Sequence, residues 1–216
     1  MKYFIPLEPN NKYHIFNESV GSERLFRNDD NYIYFLKKFN EYISPIASTF
    51  SYVLIPNHFH FFIEIKSKTD LYEHYKQLEI NKEKLIYKNE EELNYEEFVM
   101  QQFSNFFNCY TKSYNKRFER KGALFVDYVR RILIKDDTYS RSLVLYIHQN
   151  LILHKCCSSL ENWKFSSFNS FYSNLSSKIE RETVINWFGD LENFTQLHSI
   201  KNINFSNQSY KVLKTL

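Results

Sequence analysis

Glycine is scarce in this chain, with three residues in 216, alongside four prolines. So few turn-formers argue against a loop-rich all-β design, whose tight turns call repeatedly on both residues. Cysteine is scarce too: Cys109, Cys156 and Cys157, an odd number with two adjacent. That fits neither a disulfide framework nor a C-x-x-C metal knuckle, and reads as reduced thiols in a cytoplasmic protein. No apolar run approaches the roughly 20 residues needed to cross a bilayer. The opening "MKYFIPLEPNNKYHIF" is interrupted at Pro6, Glu8 and Pro9 before a signal-like apolar core can form. The expectation is a cytoplasmic chain with no membrane partner. An excess of one charge is also missing. With 28 basic and 25 acidic residues the net charge is +3, so local distribution has to identify any charged partner.

Aromatic residues are plentiful, with 21 phenylalanines and 17 tyrosines to fill a core. The length fits one sizeable domain, or a domain with a small appendage. "KYHIFNE" (12–18) reads as a strand. "DDNYIYFLKKFNEYI" (29–43) has apolar residues at helical spacing, with Asp29 or Asp30 as N-cap and Pro45 beyond its end. Two strand-like segments follow, 50–54 and 58–65, with Pro56-Asn57 at the corner between them. Residues 69–94 are polar and helix-compatible, ending near a solvated acidic cluster of Glu90, Glu91, Glu92, Glu96 and Glu97. An amphipathic helix is predicted over about 96–118, with Gly122 as its C-terminal cap. A strand over 124–134 comes next, then a helix capped by Asp136 or Asp137. Residues 166–178 form a Ser-rich connector, 182–198 a short helical appendage, and the last ~15 residues are expected to be poorly ordered. Strand, helix, strand, strand, helix, strand, helix is the order of an α+β, ferredoxin-like or RRM-like antiparallel sheet flanked by helices.

Within "LIPNHFHFFIEI" (54–65), strand alternation puts His58 and His60 on one face with Phe62 and Glu64. Phe59, Phe61, Ile63 and Ile65 face the other way. Two same-face imidazoles can hold one metal ion and leave positions for other ligands. Two satisfied histidines at a sheet surface would give the same pattern. In "LVLYIHQN" (143–150), Tyr146 and Asn150 are i and i+4, on one helix face. Tyr146 could be a phosphoryl-transfer nucleophile or one more packed aromatic. Residues 111–135 carry Lys112, Lys116, Arg117, Arg120, Lys121, Arg130, Arg131 and Lys135 against Glu119 and Asp127. Tyr114, Phe118, Phe125 and Tyr128 are interleaved with them. Such a stretch suits phosphate contacts and base stacking, and equally a solvated surface.

Together these segments resemble the HUH-type single-tyrosine transposases, in their REP-associated branch. "YVLIPNHFHFFIEI" resembles the family's PNH-x-H segment. "FFNCYTKSYNKRFERKGALF" is similar to its helix-to-strand segment, through Tyr110, Asn115, Phe118, Arg120, Gly122, Leu124 and Phe125. "YIHQN" is similar to its Y-I-H-x-N-P motif. The resemblance spans roughly residues 12–195. It implies the HUH endonuclease fold, with a catalytic domain over 1–165 and the connector and helical appendage over 166–216. It also implies a single-stranded DNA endonuclease and strand transferase acting on single-stranded or hairpin DNA. Tyr146 would be the nucleophile, forming a 5′-phosphotyrosine link. His58, His60 and Asn150 would hold a divalent metal, Mg²⁺ or Mn²⁺. DNA contacts would come from Asn17, Lys112, Lys116, Arg117, Arg120, Arg130 and Arg131, in a monomer or homodimer. Leu151 replaces the family's proline, and Glu18 stands where an arginine often follows the asparagine. Two further readings remain open: a relative that binds hairpins without cutting, and an unrelated His-x-His metallohydrolase that uses water.

Overall fold

The computed structural model describes residues 5–79 and 87–200. The expectation for the last ~15 residues, and part of that for 69–94, falls outside the described residues. Four strands, β1 (Lys12–Glu18), β2 (Ala47–Ile55), β3 (His58–Ile65) and β4 (Arg130–Ile134), make one sheet in the order β2-β3-β1-β4. Every pairing is antiparallel. This is the expected α+β arrangement.

One face carries Tyr13, Ile15, Phe59, Phe61 and Ile63, all buried. Against it pack α1 (Asp29–Tyr42) and α3 (Tyr95–Arg117), with Phe35, Phe39, Phe103 and Phe106 in the same cluster. Phe39 stacks on Phe61 at a 4.1 Å centroid distance. α2 (Lys68–Glu79) precedes α3. The opposite face, with Val53, Ile55 and Phe62, takes α4 (Asp137–Leu153) through Leu143, Val144, Ile147 and Leu151. α5 (Arg181–Phe188) and α6 (Leu191–Ser199) close over α4 with Val184, Phe188 and Phe194.

Several element ends differ from the sequence expectation. Asn28 rather than Asp29 or Asp30 caps α1, its side chain accepting from the Asn31 N–H. The two aspartates sit in the first turn, where their charge complements the helix dipole. α3 ends at Arg117, five residues before Gly122. Its C-cap is Phe118, Glu119 takes the left-handed conformation at φ +51°, and the Arg120 N–H returns to the Asn115 carbonyl at 2.9 Å. That is a Schellman closure made without glycine. β2 begins at Ala47, and a register shift between Thr49 and Ser51 lets Phe50 join the α4-facing cluster. β4 begins only at Arg130, because the Asn17 side-chain amide donates to the Asp127 and Tyr128 carbonyls, at 2.8 Å each. The chain before it is held by a lone bridge between Ser19 and Phe125. The helical appendage expected over 182–198 consists of two short helices, α5 and α6. Gly189, at φ +89°, breaks it, and Asp190 caps the second. Among the described residues no helix is long and apolar enough to cross a membrane.

Candidate active site

The register of the central strands builds the site. His58 lies opposite Glu18 and His60 opposite Phe16 on β1, while His14 faces Phe62 one step further along. Alternation therefore gathers His14, Phe16, Glu18, His58 and His60 on the face that receives α4. α4 is capped by Asp136, whose carboxylate accepts from the Tyr139 N–H at 2.7 Å. Its i, i+4 spacing brings Tyr146 and Asn150 down onto the two histidines. The Tyr146 ring meets His60 edge-on at 5.6 Å and His14 at 6.1 Å. All of these groups belong to one chain. Phe16, Glu18, His58, His60, Tyr146 and Asn150, together with Asn17, Asn57, Arg130 and His154, line a cleft of about 150 Å³, and His14 lies buried behind His60.

His58 and His60 each have one ring nitrogen already engaged. His58 Nδ1 donates to Asn57 Oδ1 at 2.9 Å, since a side-chain amide oxygen can only accept. This leaves the His58 Nε2 lone pair uncommitted to that bond. His60 Nδ1 lies 2.9 Å from Nε2 of His14, a ring that is completely buried. Burial lowers the His58 imidazole to about 4 and holds His60 well below its ordinary range. Both are therefore neutral near pH 7, the state a metal ligand needs. The phenol of Tyr146 is shifted the other way. Burial raises its pKa, with a side-chain hydrogen bond from Asn150 working against the rise, so at neutral pH it carries its proton. The Asn150 amide nitrogen donates back to the Tyr146 carbonyl at 2.9 Å, which leaves its oxygen as the acceptor.

Among the described residues no three His, Cys, Asp or Glu side chains converge as a metal site. The donor set here is two imidazoles, 5.2 Å apart between centroids, with a buried amide on the facing helix. Neutral nitrogen ligands with an amide oxygen suit a divalent ion that keeps open positions.

The basic stretch does not form one surface. Arg130 alone of it lines the cleft, paired with Glu18 at 3.1 Å and lying over the Phe16 ring. Arg131 is buried and bonded to the Ile5 and Val129 carbonyls. Arg117 pairs with Asp30, and Lys112 and Lys116 are exposed on α3, which packs on the other sheet face. Asn17 lines the cleft, but its amide holds the 127–128 segment in place.

Arg120 is a clamp: Nε contacts both Glu23 oxygens at 2.6 and 2.8 Å, and the guanidinium reaches the Gly122 and Ala123 carbonyls. Arg120→Ala is expected to destabilise the fold by about 2 kcal/mol, since charge-assisted bonds are each worth about 1.5–3 kcal/mol. Urea unfolding checks this, and an unchanged midpoint would contradict the clamp.

Sequence reasoning missed His14 and His154. The His154 ring stands against His58 at 4.5 Å. It continues the 146, 150, 154 helical stripe, so its spacing was visible in the sequence.

No family model and no curated protein matches this chain. A solved structure of a REP-associated tyrosine transposase bound to a REP hairpin is similar to it, with a TM-score of 0.52 at 12% sequence identity. The alignment covers 82% of this chain and 89% of that one. At that identity the likeness is one of architecture, and the chain has the α+β fold of the HUH tyrosine transposases.

Proposed function

We propose that this protein is a metal-dependent single-stranded DNA endonuclease and strand transferase that acts on hairpin-associated DNA through Tyr146. The observation that carries the proposal is the convergence, within one chain, of the Tyr146 and Asn150 helix face on the His58–His60 pair. That the structural neighbour was solved with a DNA hairpin supports the choice of substrate.

His58, His60 and the Asn150 amide oxygen would hold Mg²⁺ or Mn²⁺. A bound ion of this kind polarises a non-bridging phosphate oxygen and eases departure of the leaving oxygen. The Tyr146 phenol oxygen forms a new bond to phosphorus and gives up its proton. The bond from phosphorus to the 3′-oxygen breaks, and that oxygen leaves as a 3′-hydroxyl after taking up a proton. The phosphodiester energy is kept in the 5′-phosphotyrosine link, so rejoining needs no nucleotide cofactor. Arg130 at the cleft mouth supplies positive charge toward the phosphate backbone.

The test is incubation with an end-labelled DNA hairpin carrying a single-stranded flank, with Mn²⁺, Mg²⁺ or chelator. Cleavage in the flank that requires metal, and is lost in His60→Ala, is the expected result. Tight hairpin binding with no cleavage under any metal condition would favour a non-cutting binding protein instead.

A further inference from the structure

His14 is a fully buried imidazole with half of its hydrogen-bonding capacity unmet. Nε2 faces His60 Nδ1 at 2.9 Å, whereas Nδ1 has no partner. A buried unpaired polar nitrogen costs stability, and an apolar ring of similar size would fill the same space without that cost. Packing therefore does not account for a histidine here.

Its contact with His60 does. A single proton lies between the two facing nitrogens, and it can belong to either ring. If His14 supplies it, His60 carries its own proton on Nε2 and cannot ligate a metal through that atom. If His60 supplies it from Nδ1, the His60 Nε2 lone pair is free, and the orphaned proton sits on His14 Nδ1. On the neighbouring residue, Asn57 Oδ1 already imposes this second pattern on His58, because an amide oxygen can only accept.

We infer that His14 is a positioning residue for the metal site: its Nε2 accepts the Nδ1–H of His60, fixing the tautomer and ring orientation in which His60 presents Nε2 to a divalent cation. The inference rests on the reading of His58 and His60 as metal ligands. Partners of this kind orient the ligand and raise its basicity, and their loss typically weakens metal binding by about 10–100-fold.

The test is Mn²⁺ titration of the full chain, followed by electron paramagnetic resonance, without DNA. His14→Phe keeps the ring and removes the acceptor, and is expected to weaken Mn²⁺ binding by about 10–100-fold. His14→Gln restores an acceptor near the Nε2 position and is expected to recover most of the affinity. Because His14→Phe could perturb folding, the wild-type chain is also read by ¹⁵N NMR with diamagnetic Cd²⁺. The expected spectrum places the proton on His60 Nδ1 and none on His14 Nε2. A folded His14→Phe variant with wild-type affinity would overturn the inference, as would a His60 ring protonated at Nε2. Mn²⁺ binding that survives both His58→Ala and His60→Ala would instead remove the underlying metal-site reading.

Discussion

The Tyr146→Phe variant is expected to lose DNA cleavage by at least about 10⁴-fold, the scale seen when a covalent nucleophile is deleted, while hairpin binding is retained. The substitution removes only the hydroxyl. The ring's edge contacts with His60 and His14 remain available to phenylalanine, so the fold and the histidine pair are left in place. The stability change expected from the lost hydrogen bond with Asn150 is about 1 kcal/mol. Burial raises the phenol's pKa, so only a small fraction of Tyr146 is phenolate near pH 7. The wild-type cleavage rate should accordingly climb as pH rises through the neutral range. Single-turnover cleavage of a labelled hairpin, with binding measured separately, checks both statements. Cleavage in Tyr146→Phe within about tenfold of wild type would move the nucleophile elsewhere, to water or another tyrosine. Tyr110 and Tyr114 are poor substitutes, since both are buried in the α1–α3 layer and bonded to the Leu25 and Arg24 carbonyls.

A second large effect is expected from acid. His148 of α4 and His198 of α6 form a buried relay between the two helices. Ser167 Oγ lies 2.8 Å from His148 Nε2, His148 Nδ1 lies 2.9 Å from His198 Nε2, and His198 Nδ1 donates to the Phe194 carbonyl at 2.8 Å. The chain is fully satisfied only when both rings are neutral, because each then donates once and accepts once. Burial lowers His198 to about 4 and His148 well below its ordinary range. Their folded-state values therefore lie below the unfolded value near 6.5. Stability is complete above that value and falls as pH drops from about 6.5 toward the folded pKa, at about 1.4 kcal/mol per pH unit for each ring. For His198 alone the loss between pH 6.5 and pH 5 is about 2 kcal/mol. His14, lowered to about 3 by burial, adds a loss of the same sign. Urea unfolding at both pH values measures the sum. A stability that stays flat across this interval would mean that the relay is not closed in solution.

How far the sequence could be read depends on which physical relation carried each feature. Alternation along β3 was enough to put His58 and His60 on one face, and i, i+4 spacing on α4 was enough to pair Tyr146 with Asn150. Their meeting was implied only by family resemblance, because it depends on α4 packing on the same sheet face. His14 was hidden for a similar reason. Its strand was readable in "KYHIFNE", but its closeness to His60 follows from the β1–β3 register, in which Phe16 rather than His14 lies opposite His60. The basic stretch was misleading because charge was counted along the chain. Where the chain turns from α3 into β4, Arg120 clamps the turn, Arg131 points into the other face, and Arg130 reaches the cleft. The α1 cap is Asn28, one residue before the expected aspartates, and α3 closes through left-handed Glu119, three residues before Gly122.

The most direct measurement is to trap the protein on a hairpin substrate with Mn²⁺, digest the complex, and sequence the DNA-linked peptide by mass spectrometry. One adduct is expected, a phosphotyrosine at Tyr146 joined to the 5′ end of the cut strand and absent when metal is chelated. Metal-dependent cleavage with no covalent adduct, or an adduct on any other residue, would contradict it.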